Sequence, residues 1–100
     1  MYERSILLGF TRVHILHHAS LEGGVWGSWM TEELREHGYD ISPGTLYPIL
    51  HKMEKDGVLR SENVNVSGKI RRIYKTTEKG DDVLERLRSF VDEMSREVLQ

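Results

Sequence analysis

The chain has 100 residues, enough for a single domain, and its lack of cysteine excludes disulfides, thiolate metal sites and catalysis by a thiol. Its formal net charge of −2 provides no overall attraction to nucleic acid. The apolar run at residues 6–10 is too short for a signal peptide or a membrane span, so we expect a cytoplasmic protein with no membrane partner.

The first predicted helix covers residues 2–19 and is apolar on two sides. Ile6 and Phe10 lie on one side, and Leu8 and Ile15 form a second apolar flank. A helix of this kind is usually buried on both sides. We therefore expect one side to face its own domain and the other to face a partner.

A second helix is predicted over residues 27–37, after a pair of glycines that ends the first. Met30 and Leu34 are its core positions, and Gly38 ends it. The two tryptophans at its start are more typical of a core or an interface than of a ligand site.

A third helix is predicted over residues 42–56, with Ser42 as its cap, Pro43 at the first helical position and Gly57 in the left-handed turn that ends it. We expect Pro48 to distort its first turn, because proline has no N–H group. One side of this helix is apolar: Leu46, Ile49, Leu50 and Met53. The opposite side is small, hydroxyl-bearing and basic.

A two-stranded hairpin is predicted next, with strands at residues 58–66 and 70–76 and a turn at Asn65, Ser67 and Gly68. Its return strand is rich in lysine and arginine. We expect an exposed, polar tip.

Thr77 then caps a long helix that reaches about Leu99. Its apolar residues alternate in steps of three and four, as in a seam between two helices. An ordinary amphipathic helix on its own domain is the alternative. We favour an intermolecular seam, because three short helices offer too little core to cover it. The candidate dimer-interface residues are Ile6, Phe10, Leu84, Leu87, Phe90, Val91, Met94 and Val98.

This order of elements predicts a mainly α fold with a small β-hairpin. It is a winged helix-turn-helix over residues 2–76, followed by a C-terminal dimerisation helix over residues 77–99. In such folds the third helix enters the major groove of DNA and the hairpin follows the backbone.

The distribution of charge supports a contact with nucleic acid. Residues 1–41 contain three basic and six acidic groups, residues 42–75 contain seven and three, and residues 76–100 contain four and seven. A basic middle between acidic ends is typical of a localised nucleic-acid footprint, although a solvated surface also gives such runs.

Four motifs in register resemble the PadR family of bacterial and archaeal transcriptional regulators. They are Ser42-Pro43-Gly44-Thr45-Leu46-Tyr47-Pro48, the run from Leu50 through Met53-Glu54 to Asp56-Gly57-Val58-Leu59, Arg71-Arg72 with Tyr74, and Thr77-Glu78-Lys79-Gly80. The resemblance covers roughly residues 11–88. It implies the short branch of the family, in which a single C-terminal helix serves dimerisation. The chain departs from the family at Trp26-Gly27-Ser28-Trp29, where members often have a His-Gly-Tyr-like start, and in having no tryptophan in its last helix.

The resemblance implies a repressor that binds a palindromic operator as a homodimer, with a possible small-molecule effector between the long helices and the winged domains. Lysines and arginines can displace counterions from phosphates, hydroxyls can bind phosphate oxygens, and His51, Lys52 and Lys55 can reach base edges. The candidate DNA-binding residues are Ser42, Gly44, Thr45, Tyr47, His51, Lys52, Lys55, Lys69, Arg71 and Arg72.

Two alternatives remain open. His14, His17 and His18 share one end of the first helix, so two imidazoles could meet one metal ion, but no third ligand is evident and the helix dipole alone favours histidine there. A winged helix can also bind protein instead of DNA. We expect no enzyme activity and no cofactor, because no nucleophile elbow or phosphate loop occurs.

Overall fold

The computed structural model describes residues 2–100 as four helices and one antiparallel hairpin, in the predicted order. The elements are α1 (Glu3–Ala19), α2 (Gly27–Glu36), α3 (Pro43–Lys55), β1 (Leu59–Val66), β2 (Lys69–Thr76) and α4 (Glu78–Val98). The predicted fold class is confirmed, and no boundary is displaced by more than one residue. Among residues 2–100, no helix combines the length and apolar character that crossing a membrane requires.

The turn between α2 and α3 begins with a Schellman motif. The Tyr39 N–H donates to the Leu34 carbonyl at 2.8 Å, and the Gly38 N–H donates to the Arg35 carbonyl at 3.0 Å. Gly38 has a φ of +87°, which glycine adopts without strain. This turn reverses the chain so that α3 packs against α2.

The start of α3 differs in one detail from the prediction. Ser42 is the N-cap residue, but its side chain makes no capping hydrogen bond, so the predicted cap is wrong in its chemistry. The Ser42 carbonyl instead accepts from both Thr45 (3.0 Å) and Leu46 (2.9 Å), which tightens the first turn. Pro48 lies within a helix that continues without a break to Lys55.

The hairpin reverses through Ser67 and Gly68, whose φ values of +52° and +85° are those of a type I′ turn. The Asn65 side-chain oxygen accepts from the Gly68 N–H at 2.9 Å. A further bridge was not predicted: Val25 exchanges both backbone hydrogen bonds with Tyr74, at 2.9 and 2.7 Å. It fastens the α1–α2 connection to β2.

The core lies between the helices and the base of the hairpin, and α3 contributes its predicted apolar side. Met30 and Leu34 of α2 are fully buried, as predicted. The buried apolar residues are Ile15, Leu16, Ala19, Val25, Met30, Leu34, Ile41, Leu46, Ile49, Leu50, Met53, Leu59, Ile73, Tyr74 and Leu84.

The end of α3 is joined to the start of α4 through a contact that we call the α3–α4 joint, formed by residues 56–58 and 77–80. Thr77 caps α4 as predicted, because its hydroxyl oxygen accepts from the Gly80 N–H at 3.0 Å. The same hydroxyl donates to the Gly57 carbonyl at 2.5 Å, and the Lys79 ammonium donates to the Asp56 carbonyl at 2.8 Å. One residue therefore caps one helix and contacts the end of the other.

Gly80 permits the close approach in this joint. A Cβ atom at Gly80 would lie 2.0 Å from the Val58 carbonyl oxygen, which is itself held by a hydrogen bond from the Thr77 N–H at 3.2 Å. Since the obstructing atom belongs to the backbone, a side chain could be accommodated only by moving α4.

Gly80→Ala is expected to lower the free energy of unfolding by about 1–3 kcal/mol, the usual cost of overpacking. Gly9→Ala is the matched control, because Gly9 lies in α1 and a Cβ there meets nothing within 4 Å. The control should gain up to about 1 kcal/mol from its higher helix propensity. Urea unfolding at one fixed protein concentration measures both, and a Gly80→Ala protein as stable as the control would contradict the close approach.

Candidate functional site

The side of α3 that faces away from the core carries the residues predicted to contact DNA. Thr45 is half-buried and the other six predicted residues of this helix are exposed. The structure therefore places Ser42, Gly44, Thr45, Tyr47, His51, Lys52 and Lys55 on one outward surface, opposite the four buried apolar residues.

The predicted cations differ in how they are paired. The Lys52 ammonium lies 2.6 Å from an Asp56 carboxylate oxygen, and the Arg72 guanidinium lies 3.4 Å from Glu54. Lys55 and Lys69 form no ion pair with any residue between 2 and 100. A phosphate would meet these two directly, whereas Lys52 and Arg72 would have to exchange partners.

Arg71 is folded back onto the start of α2. Its guanidinium carbon lies 5.6 Å from the centre of the Trp26 ring, within the range of a cation–π contact, and Nη1 lies 3.4 Å from the Ser28 hydroxyl. Trp26 thus supports a wing arginine, a role that the sequence pattern did not indicate.

Tyr47 rests on Gly27 at the first position of α2. Gly27 is buried, and a Cβ atom there would lie 2.5 Å from the Tyr47 ring. The ring remains 40 % exposed, so its other side stays open to solvent. Gly27 is the one residue of the segment 26–29 that fits the pattern of the family named above. Its lack of a side chain makes room for the Tyr47 ring.

Glu54 links α3 to both strands, and sequence reasoning missed it. Its carboxylate accepts from the Ser61 hydroxyl at 2.6 Å and from Arg72 at 3.4 Å. The Ser61 hydrogen bond, helped by the Arg72 charge, lowers the pKa of Glu54 below its ordinary value although partial burial opposes this. This acidic residue, one of three in the basic segment, thereby fastens α3 to both strands of the wing.

The histidines of α1 make different contacts with the rest of the chain. His17 approaches Arg88 of α4, with its Nδ1 3.3 Å from Nη2, and its ring packs edge-on against His18. His14 stacks on His37, the residue after α2, and His18 also lies near His37. Partial burial lowers the pKa of His14 and His18, and neighbouring imidazoles lower it further while Glu33 opposes them. The predicted trio is therefore not the set that the fold brings together.

Two apolar surfaces lie on α1 and the outer half of α4. We call the exposed residues the apolar stripe: they are between 41 % and 69 % exposed and comprise Ile6, Phe10, Phe90, Val91, Met94 and Val98. Two of the predicted interface residues do not belong to the apolar stripe. Leu84 is buried in the core of its own chain, and Leu87 is half-buried against that core. The assignment of Leu84 to the interface is corrected accordingly, because it holds α4 on its own domain, whereas that of Leu87 stays a prediction.

A cavity of about 440 Å³ separates α1 from α4 beside the apolar stripe. Its walls are mostly apolar, and His14, His17, Tyr39 and Arg88 contribute the polar groups. This volume falls within the range of ligand pockets.

The helix α3, which packs its apolar side into the core, is followed by a basic hairpin. This arrangement is that of the winged helix-turn-helix class. Residues 15–86 match the Transcriptional regulator PadR-like family, and the chain belongs to the PadR family of transcriptional regulators. It is 51 % identical over 88 residues to the transcriptional regulator Rv3488 of Mycobacterium tuberculosis, which covers 88 % of this chain and 81 % of that protein.

Solved structures agree with this assignment. A PadR-like transcriptional regulator from Bacillus cereus has a TM-score of 0.82 at 29 % identity and covers 96 % of this chain and 97 % of that one. A Streptococcus transcriptional regulator has a TM-score of 0.83 at 26 % identity, with 93 % and 92 % covered. Regulators of this family bind DNA.

Glu54→Gln is expected to destabilise the protein at pH 7 by about 0.5–1.5 kcal/mol, the usual range for one hydrogen bond. Because the pKa of Glu54 is lower in the folded chain, its contribution is complete above the unfolded pKa and is lost as pH falls through the folded value. The difference between variant and wild type should therefore shrink at acidic pH.

Urea unfolding between neutral and acidic pH measures this difference. Glu62→Gln is the matched control, since among residues 2–100 that carboxylate pairs only with Lys75, at 3.6 Å, and its loss should change stability little. A Glu54→Gln effect that stays constant with pH would contradict the assignment.

Proposed function

We propose that this PadR-family regulator binds DNA in the cytoplasm through the outward surface of α3 and through the wing of β1 and β2, with residues 2–76 as the DNA-binding part. The observation that carries the proposal is the division of α3: four apolar residues hold it in the core while hydroxyls and cations face solvent. The free N–H groups and positive dipole end at its N-terminus favour a phosphate oxygen near Ser42 and Gly44.

The geometry around Gly44 supports a close approach of the DNA backbone. A Cβ atom there would meet only the Ser42 hydroxyl, at 3.8 Å, so the space in front of it is open. Lys55 and Lys69, which have no ion pair within residues 2–100, supply the first phosphate contacts. His51, Lys52 and Lys55 face the groove and read base edges.

The proposed active form is a homodimer joined along the apolar stripe. A monomer would leave six large apolar side chains in water on two neighbouring helices, α1 and α4. A second copy of the same surface would cover them, and residues 77–99 would serve as the dimerisation helix.

Such a dimer presents two copies of α3 related by a two-fold axis. It fits a palindromic operator with half-sites about one helical turn apart. We propose that it acts as a repressor, since a dimer bound across a promoter obstructs transcription. A small apolar molecule in the cavity between α1 and α4 would change the angle of α4 and thereby the spacing of the two α3 helices.

Arg71→Ala combined with Arg72→Ala is expected to weaken binding to operator DNA by about tenfold or more. Loss of two phosphate contacts should also make the dependence of log K on log salt concentration less steep by about two units. Fluorescence anisotropy of a labelled fragment from the promoter next to the protein's own coding region, titrated at several salt concentrations, measures both quantities.

Arg4→Ala combined with Arg86→Ala is the matched control, because it removes the same charge from exposed positions on α1 and α4. The control should keep the wild-type slope. Equal slopes for the two double variants would favour a winged helix that binds protein through another surface.

Val91→Glu is expected to raise the dimer dissociation constant at least about 100-fold, because it buries an unpaired carboxylate in the proposed interface. Val91 is 46 % exposed in the single chain, so the fold itself should persist. Sedimentation equilibrium measures the mass, with Ser89→Glu as a control of equal charge on another side of α4. A Val91→Glu protein that remains as dimeric as the control would exclude the apolar stripe as the interface.

A further inference from the structure

Three imidazoles from two helices converge at one end of the domain. His14 and His18 are one turn apart on α1, and His37 follows the last residue of α2. One ring nitrogen from each lies within 4.8 Å of the other two. His14 and His18 are half-buried, whereas His37 is exposed, so the cluster is reachable from solvent.

The backbone fixes this arrangement before any ligand is present. His14 and His18 are four residues apart in α1, so they lie on the same side of that helix. His37 is held by the Schellman motif, in which Gly38 and Tyr39 turn the chain back on itself. No segment has to fold for the three rings to meet.

A carboxylate contacts two of the rings. The Glu33 oxygen Oε1 lies 3.0 Å from Nε2 of His37 and 3.5 Å from Nε2 of His18. Histidine ligands of metal ions usually donate their second ring N–H to such a carboxylate, which fixes the ring and raises its basicity. Trp29 packs edge-on against His18 and Tyr39 against His14, with ring centres 5.3 and 5.1 Å apart, and both aromatics restrict ring rotation.

We propose that His14, His18 and His37 bind one divalent transition-metal ion of the Zn²⁺, Co²⁺ and Ni²⁺ class, with Glu33 as the supporting carboxylate. Imidazole nitrogen is a preferred ligand of these ions, and three ligands with a fourth position for water is a common zinc arrangement. Nitrogens bound at about 2.1 Å in a tetrahedron lie about 3.4 Å apart. Side-chain rotations that move each nitrogen by about 1 Å would bring the three nitrogens to that spacing.

The site joins the N-terminal helix to the end of α2. A metal ion here would hold α1, which carries part of the apolar stripe, against the helix that precedes α3. Because the ion binds the folded chain, it should raise the melting temperature, and above the dissociation constant the rise should follow the logarithm of the ion's concentration.

The test is a titration of zinc chloride into metal-free protein from which any histidine tag has been removed, followed by competition with a zinc-sensitive chelating dye. We expect one Zn²⁺ per chain. His37→Ala should weaken binding by about 100-fold, and Glu33→Gln by about 10- to 100-fold, as for other groups that orient metal ligands. His37 is exposed, so its replacement should leave the fold intact, which circular dichroism verifies.

His17→Ala is the matched control, because the His17 ring packs edge-on against His18 but does not belong to the cluster of three nitrogens. The Zn²⁺ affinity of this variant should stay far closer to the wild-type value than that of His37→Ala. Bound Co²⁺ should give visible d–d absorption bands that His37→Ala abolishes and His17→Ala retains. Wild-type protein that binds less than one Zn²⁺ per chain under these conditions, or equal affinities for the His37→Ala and wild-type proteins, would overturn the proposal.

Discussion

The arrangement of this protein depends on the α3–α4 joint. The Thr77 hydroxyl caps α4 and donates to the Gly57 carbonyl, while Gly80 lets the backbone of α4 touch that of Val58. Gly57 is also the left-handed residue that closes α3, since Val58 N–H reaches the Met53 carbonyl at 3.1 Å. The start of α4 is thereby positioned at the end of α3, and Leu84 and Leu87 pack the helix onto the core of its own chain.

Most of the fold was predictable because its determinants are local. Each signal determines the structure of its own few residues. These signals are the glycine that ends α3 (Gly57), the cap of α4 (Thr77), the hairpin turn (Ser67–Gly68) and the apolar spacing of α3. The family motifs added the order of these pieces. One local prediction was wrong: the Ser42 side chain does not cap α3. The Thr45 N–H, which such a cap could bind, donates to the Ser42 carbonyl instead.

The candidate site was less predictable because its details depend on contacts between distant residues. Arg71 meets Trp26, and His37 completes the cluster begun by His14, across separations in sequence that periodicity cannot reveal. The buried position of Leu84 has the same origin, because the seam of α4 continues into the core of its own chain before it emerges. Spacing identified the right surface of each helix, and tertiary packing decided what each surface meets.

The length of α4 gives the α3–α4 joint a mechanical consequence. The 21 residues of this helix extend about 30 Å, so a rotation of about 10° at one end displaces the other by about 5 Å. A ligand between α1 and the C-terminal part of α4 would therefore rotate α4 about the α3–α4 joint. Under the proposed function, the close backbone contact at Gly80 would pass a small movement in the apolar half of the molecule on to α3.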